Sequence, residues 1–183
     1  MKSVKLTAIA LAAILSAAAV PALAQVMVGG APMYSSKDIV DNAVNSKDHT
    51  TLVAAVKAAG LVPMLKGAGP FTVFAPTNAA FAALPAGTVD NLLKPENKAA
   101  LTKVLTYHVV SGKLETAALI KAVDAGGGKA TLTEVSGGTL TVTKSGTMIM
   151  LSDESGGMAH VTIPDVVQSN GVIHVVDKVL LPK

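Results

Sequence analysis

The segment "GPFTVFAPTNAAFAALP", residues 69–85, decides the architecture because it joins a strand pattern directly to a helix pattern. Its first half is an apolar, β-favouring run between Gly69 and Pro76, which predicts a short buried strand. In its second half, Thr77 or Asn78 can cap the start of a helix. A strand is therefore expected inside the otherwise helical first part of the chain.

Outward from this segment, the apolar residues change their spacing once along the chain. Spacings of three and four residues predict helices in residues 35–46, 49–60, 95–109 and 114–123. From residue 129 onward, short alternating runs are separated by Gly-Gly, Ser-Gly and Asn-Gly pairs, which indicates strands joined by tight turns. Helices followed by strands predict an α+β fold with a mixed or antiparallel sheet, in one domain over residues 36–183.

The first 24 residues have the pattern of a secretory signal peptide. Lys2 and Lys5 supply the positive start, and a stretch rich in small apolar residues follows. Ala22 and Ala24 form the A-x-A arrangement that signal peptidase accepts, so cleavage is expected after Ala24. We therefore expect a secreted protein, extracellular or periplasmic, with no transmembrane span after cleavage. Residues 25–35 follow as an expected flexible leader, because their glycines and proline show no period.

The composition excludes several classes of function. Beyond the signal peptide, 13 lysines stand against 12 acidic residues, and there is no arginine anywhere in the chain. Such a balance offers no basic patch for nucleic acid and no bidentate clamp for phosphates. The chain also has no cysteine, so disulfides, thiol nucleophiles and thiolate metal sites are excluded. The fold must rest on an aliphatic core.

No pattern of catalytic residues is present in the sequence. It contains neither a G-x-S-x-G nucleophile elbow nor a phosphate-binding loop. His49, His108, His160 and His174 lie far apart and lack the spacing of metal ligands. His49 is expected to be exposed at a helix start, whereas His174 is expected to be a hydrogen-bonded structural residue. We predict no catalytic residues, no metal and no cofactor, and hence a protein that is not an enzyme.

The stretch "LTYHVVSG", residues 105–112, places Tyr107 beside His108 at the end of a predicted helix. A histidine there interacts favourably with the helix dipole, which favours a structural role. A contact surface for a partner is the other interpretation. The sequence does not decide whether Tyr107 is buried or displayed.

Three segments together resemble the signature of the fasciclin-like domain family: residues 69–85, "TYHVV" at 106–110 and "SNGVIHVVDKVLLP" at 169–182. The resemblance covers residues 36–182 and is that of a bacterial secreted single-domain member. It implies a wedge of β-strands packed against several helices. It also implies an extracellular, non-enzymatic adhesion or interaction domain.

The resemblance assigns roles residue by residue. In the family, the histidine that matches His108 is associated with holding the first and last segments together, and the surrounding stretch has been implicated in binding partners of animal relatives. "PDVV" at 164–167 is similar to an Asp–Ile element of animal adhesion domains, with Val166 in place of the isoleucine. Candidate partner-binding residues are therefore Tyr107, His108, Asp165 and Val166. The structural signature residues are Thr72, Phe74, Pro76, Thr77, Asn78, Phe81, Asn170, Gly171, His174 and Asp177.

Two functions remain open at this point. The first is adhesion or interaction with a cell-surface protein or polysaccharide, by a chain expected to be monomeric. The second is binding of a small apolar ligand or envelope component. Because methionine adapts to irregular ligands, we expect such a pocket to be lined by Met64, Met148, Met150 and Met158.

Overall fold

The structure is a computed structural model that describes residues 25–183. The expected signal peptide, residues 1–24, lies outside the described residues. The helices are α1 (Ile39–Ala43), α2 (Thr50–Ala59), α3 (Val62–Leu65), α4 (Asn78–Ala82), α5 (Thr88–Leu92), α6 (Lys98–Tyr107) and α7 (Thr116–Ala125). The strands are β1 (Met27–Val28), β2 (Ala31–Pro32), β3 (Phe71–Pro76), β4 (Val109–Ser111), β5 (Lys129–Thr133), β6 (Thr139–Ser145), β7 (Met148–Ser152), β8 (Met158–Gln168) and β9 (Gly171–Val176). Within this part of the chain, no helix has both the length and the apolar character that crossing a membrane requires.

The main sheet has seven strands in the order β4-β3-β9-β8-β7-β6-β5. Strands β3 and β9 pair in parallel, from Phe71 with Gly171 to Pro76 with Val176, and the other neighbouring pairs are antiparallel. The sheet is therefore mixed, which confirms the predicted α+β class. Strands β3 and β9 are apolar at nearly every position because both of their faces are covered.

The sheet separates two apolar clusters. On one face, Val73 and Ile173 pack with residues of α1, α2 and α6, such as Ile39 and Leu52. On the other face, Phe74 packs with residues of α7 and of the β5–β8 ribbon. Successive residues of β3 thus enter different clusters, as the period of two requires.

The two edge strands of the main sheet, β4 and β5, approach each other at one corner. Val110 of β4 forms an isolated antiparallel bridge with Glu134, which follows β5. The N–H of Val135 also donates to the carbonyl of Val109 at 2.9 Å. This contact, called here the closing corner (Val109, Val110, Glu134 and Val135), bends the sheet into a wedge around the second cluster.

The segment 25–35 is an ordered hairpin rather than the flexible leader expected from the sequence. Strands β1 and β2 pair in antiparallel, and Val28, Ala31 and Met33 are buried in the first cluster. Gly29 and Gly30 both have positive φ, 58° and 76°, as a tight hairpin turn requires. The glycine pair therefore makes a turn here, and the apolar residues beside it hold the hairpin on the core.

Candidate functional site

Tyr107 faces inward. Its side chain has 0% exposure, and its hydroxyl donates to the carbonyl of Thr139 at 2.7 Å. The same oxygen accepts a hydrogen bond from the N–H of Glu154 at 3.1 Å. Burial raises the pKa of Tyr107 to about 12, so the group stays protonated at neutral pH. Tyr107 thus joins the end of α6 to the β6–β7 side of the second cluster.

His108, the next residue, is buried and neutral. Its Nδ1 lies 2.8 Å from the carbonyl of Val104, and its Nε2 lies 3.0 Å from the N–H of Leu180. Because the carbonyl can only accept and the N–H can only donate, the proton sits on Nδ1. Desolvation lowers the pKa of His108 to about 4. The carbonyl of His108 accepts from the N–H of Phe74 at 2.9 Å, so one residue contacts both the first and the last signature segments.

Direct contact of Tyr107, His108 or Val166 with a partner does not fit the structure. Their side chains are buried, with exposed fractions of 0%, 2% and 1%, so a partner at the surface cannot reach them. His108 follows Val104 by four residues, the spacing at which side chains of a helix meet, whereas Tyr107 packs in the second cluster and Val104 in the first. The helix period alone therefore does not fix the direction of Tyr107.

Asp165, the fourth candidate, is half-buried and joins two elements. Its Oδ1 accepts from the N–H of Thr116 at 2.6 Å, where α7 begins. A carboxylate at this end of a helix interacts favourably with the dipole. Asp165 lies in an irregular stretch of β8 and has a positive φ of 55°. The structure therefore gives its carboxylate an internal partner.

His174 connects β9 to both of its neighbouring segments. Its Nε2 lies 2.7 Å from the carbonyl of Leu114, and its Nδ1 accepts from the N–H of Asp165 at 3.3 Å. The ring stacks on Phe74 with centroids 5.6 Å apart. Desolvation lowers the pKa of His174, so it is neutral at pH 7.

The polar residues of the first signature segment form hydrogen bonds that hold neighbouring helices and loops in place. Thr77 caps α4, because its hydroxyl accepts from the N–H of Ala80. Asn78 instead caps α2, accepting from the N–H of Thr51 at 3.0 Å. The Thr72 hydroxyl bridges the loop after β4, donating to Gly112 at 2.6 Å and accepting from Leu114 at 2.9 Å. Phe81 is buried in the first cluster, and Pro76 ends β3.

The residues of the last segment hold the β8–β9 turn against the helices. Asn170 donates to the carbonyls of Leu65 and Gly67 at 2.7 and 3.0 Å and accepts from the N–H of Ile39 at 3.1 Å. A Cβ on Gly171 would lie 2.1 Å from the carbonyl oxygen of Phe71, so β3 and β9 can pair closely only with glycine there.

Asp177, the last signature residue, binds His160 on the neighbouring strand. Its Oδ1 accepts from the N–H of His160 at 2.7 Å, and its Oδ2 lies 3.0 Å from the ring Nδ1. Both side chains are more than a third exposed, which makes this a surface pair. In residues 25–183, no three His, Asp or Glu side chains are grouped so that they could hold a metal ion.

The exposed side of strands β5–β8 forms a surface, called here the outer face, that no helix within residues 25–183 covers. On these strands buried residues such as Leu140 and Leu151 alternate with more exposed ones. The register aligns Thr143, Met150 and His160 across three strands. The outer face consists of Lys129, Thr131, Thr133, Thr139, Thr141, Thr143, Ser145, Met148, Met150, Ser152, Met158, His160 and Thr162.

The prediction of a methionine-lined pocket is wrong. Met148 and Met158 are 51% and 45% exposed, and with Met150 they belong to the outer face. Met64 lies in α3 and packs against the first cluster. The strand period of two sends the three β-strand methionines away from the core, so the four residues share no cavity. A cavity of about 50 Å³ does exist, but it lies between α1–α3 and strands β3 and β9, and the methionine in its lining is Met33.

Comparison with known proteins identifies the family. The profile of the fasciclin domain matches residues 47–182. The chain belongs to the fasciclin domain family. Its curated relatives include "Protein sll1483" of Synechocystis, 49% identical over 158 residues that cover 85% of this chain and 79% of the relative.

Other relatives place this fasciclin domain beside both bacterial and animal proteins. "Immunogenic protein MPB70" of Mycobacterium bovis is 38% identical, covering 76% of this chain and 66% of the relative. Human periostin is 31% identical over 74% of this chain, which corresponds to 15% of periostin. A solved domain pair from the insect cell adhesion molecule Fasciclin I matches with a TM-score of 0.71, at 17% identity, covering 79% of this chain and 51% of that one. This last likeness shows that the fold is that of the fasciclin domain.

Proposed function

We propose that this fasciclin domain is a secreted, non-enzymatic adhesion domain that binds a cell-surface or matrix component through its outer face. The observation that supports this most directly is the pair of exposed methionines, Met148 and Met158, in an uncovered four-stranded surface of threonine and serine. The side chains of Tyr107, His108 and His174 are held in hydrogen bonds within the fold. They are therefore better suited to support a binding surface than to react.

The chemistry of the outer face favours a protein partner over a polysaccharide. Methionine side chains are flexible and polarizable, so they adapt to irregular apolar surfaces. Threonine hydroxyls both donate and accept hydrogen bonds, which suits a polar rim. None of the outward positions of β5–β8 carries a Phe, Tyr or Trp ring on which a sugar could stack, and the imidazole of His160 is paired with Asp177.

The size of the outer face limits its affinity. With strands ~4.8 Å apart and ~3.4 Å per residue, four strands of about five residues present roughly 300 Å². Stable complexes bury about 800 Å² on each partner. The outer face alone should therefore bind weakly, and firm attachment should require many copies on one surface.

The test is attachment of the mature chain to the envelope of the producing cell. The variant carries Met148→Glu and Met158→Glu, which place charge on the outer face without touching the core. The matched control is Met27→Glu, because Met27 is 55% exposed but lies on the β1–β2 hairpin. We expect the double variant to lose attachment and the control to keep it, with unchanged melting temperatures in both.

Two further outcomes discriminate the alternatives. Equal attachment of the double variant and the wild type would refute the assignment of the outer face. Treatment of the envelope with protease should abolish binding, whereas loss of binding after glycosidase treatment alone would identify a polysaccharide partner instead.

A further inference from the structure

Four side chains that carry sulfur or imidazole nitrogen lie together on the outer face. Strand β7 places Met148 and Met150 there, and strand β8 places Met158 and His160 there. Within each pair the residues are two positions apart, so they point to the same side of the sheet, about 7 Å from each other. Three thioethers and one imidazole therefore share a small part of this surface.

The register brings Met150 directly opposite His160. Nearer the turn of this hairpin, the N–H of Asp153 donates to the carbonyl of Gly157 at 3.0 Å, which makes these two a hydrogen-bonded pair. Because hydrogen-bonded and non-hydrogen-bonded pairs alternate along antiparallel strands, Met150 and His160 form a non-hydrogen-bonded pair. Side chains come closest in such a pair, with Cβ atoms about 4.5–5.5 Å apart. A single ion can therefore bridge the sulfur of Met150 and a ring nitrogen of His160.

His160 is held in the orientation of a metal ligand. Its Nδ1 lies 3.0 Å from Oδ2 of Asp177. A carboxylate accepts hydrogen bonds, so in the neutral ring Nδ1 carries the proton and Nε2 keeps its lone pair. Asp177 follows β9, on the side of β8 that faces away from β7, and the ring therefore turns Nε2 toward Met150. Histidines that bind metals commonly donate their other N–H to a carboxylate in this way.

A third ligand is available on either side of this central pair. Met148 and Met158 are 51% and 45% exposed, and they flank the pair from opposite ends because the strands are antiparallel. Methionine is unbranched and flexible, so either of them can bring its sulfur to an ion that shifts slightly toward it. The two flanking residues are too far apart to bind one ion together.

Thioether and imidazole ligands together select a soft metal ion. Methionine sulfur favours Cu(I), whereas carboxylate and carbonyl oxygens suit Mg²⁺, Ca²⁺ and Mn²⁺. The chain has no cysteine, so methionine supplies its softest ligands. We propose that Met150, His160 and one flanking methionine bind a single Cu(I) ion on the outer face. This site goes beyond adhesion, because it gives a metal to residues that the proposed function uses only as contact surface.

The first experiment locates the ion by NMR. The mature chain, with labelled methionine methyl groups and imidazole nitrogens, is titrated with Ag(I), a redox-inert ion with similar ligand preferences. One equivalent should shift the signals of Met150, of at least one flanking methionine and of Nε2 of His160. Met33 and Met64, which pack in or against the first cluster, should not respond. Equal shifts in all methionines, or coordination through Nδ1, would overturn the proposal.

The second experiment measures competition for Cu(I) with a coloured chelator, in the absence of oxygen. The wild type should withdraw one ion per chain. Met150→Leu and His160→Phe should each lower the affinity at least tenfold, since each removes a central ligand. Met148→Leu and Met158→Leu should cost little singly and at least tenfold together, because either residue supplies the third ligand.

Met27→Leu is the matched control. Met27 is 55% exposed but lies on the β1–β2 hairpin, so its replacement should leave the affinity for Cu(I) unchanged. Melting temperatures of all variants are compared without metal, and the changed side chains are exposed or half-buried, so the fold should persist. Failure of the wild type to compete for one ion, or equal affinities of Met150→Leu and the wild type, would overturn the proposal.

The metal site and the adhesive surface fail separately. The titrations contain the purified chain and the ion without any envelope, and the attachment assay is run with a copper chelator present. The variant with Met148→Glu and Met158→Glu loses both flanking thioethers, so it should bind Cu(I) at least tenfold more weakly than the wild type. Wild-type affinity in this variant would overturn the assigned ligands, whatever its attachment to the envelope.

Discussion

Replacement of His108 by alanine tests the central contact of the fold. The substitution removes the ring that accepts from the N–H of Leu180 at 3.0 Å and contacts the carbonyl of Val104 at 2.8 Å. Each buried group left without a partner costs about 1–3 kcal/mol. Because His108 also lines the existing cavity, the space it vacates adds to that cavity. We expect a total loss of about 2–5 kcal/mol at pH 7.5.

The pH dependence of this loss has a defined sign. Burial lowers the pKa of His108 from 6.5 to about 4. A group whose pKa is depressed by folding stabilises the protein fully above its unfolded pKa, and this contribution disappears as the pH falls toward the folded pKa. Wild-type protein therefore loses about 2–3 kcal/mol through His108 between pH 7.5 and pH 4, whereas the alanine variant has no such loss. The stability difference between the two proteins should shrink on acidification.

Urea unfolding at pH 7.5 and pH 4.5, followed by far-ultraviolet circular dichroism, measures both effects. His160→Ala is the control, because its side chain is 39% exposed and its pair with Asp177 should contribute at most about 1 kcal/mol. An alanine variant of His108 that unfolds like the wild type would refute the structural role. A difference that stays constant between the two pH values would refute the buried, neutral state of the ring.

Three further substitutions test other parts of the structure. Burial raises the pKa of Glu134 from 4.5 to about 7, so its ionisation lowers the free energy of unfolding by about 1–3 kcal/mol as the pH rises between these values. Urea unfolding of Glu134→Gln at pH 5 and pH 8 should lack this loss. A variant that loses as much stability between the two pH values as the wild type would contradict the assignment. Gly171→Ala should lower the melting temperature more than Gly156→Ala, because a Cβ clashes with backbone atoms of Phe71 at the first position, whereas at the second it meets open space and costs only the strain of a positive φ of 87°. Asn78→Ala should cost about 1–2 kcal/mol and speed hydrogen exchange in the first turn of α2, and unchanged exchange there would argue against its capping role.

The sequence predicts strand β3 and the strands from β5 to β9, because alternation and turn residues are local signals, but it does not predict the short strands β1, β2 and β4. The β6 and β7 strands follow directly from runs such as residues 139–145 with a glycine after them. The parallel pairing of β3 with β9 could not be derived from local signals. The two strands lie about 100 residues apart in the sequence, and only the family resemblance connected them.

Side-chain direction is the part of the site that sequence reasoning missed. Tyr107 and His108 lie at the end of α6. The apolar stripe of the helix predicts that they are buried, whereas their position at the helix end predicts that they are exposed. The sequence predicts an exposed His49, but this residue lies directly before α2 and is 3% exposed, because the β1–β2 hairpin and the loop before it enclose this end of the helix. Burial of both histidines depends on elements distant in sequence, and a local pattern cannot report such contacts.

The closing corner has a consequence for the behaviour of the protein in concentrated solution. The outer strands of an open sheet expose unused backbone groups that can recruit another copy of the chain and start a fibril. Here the strands at the two ends of the sheet use part of that capacity on each other, through Val110, Glu134 and the bond from Val135 to Val109. A chain without cysteine thereby limits the backbone available for growth by strand addition, and it does so by geometry instead of by a covalent crosslink.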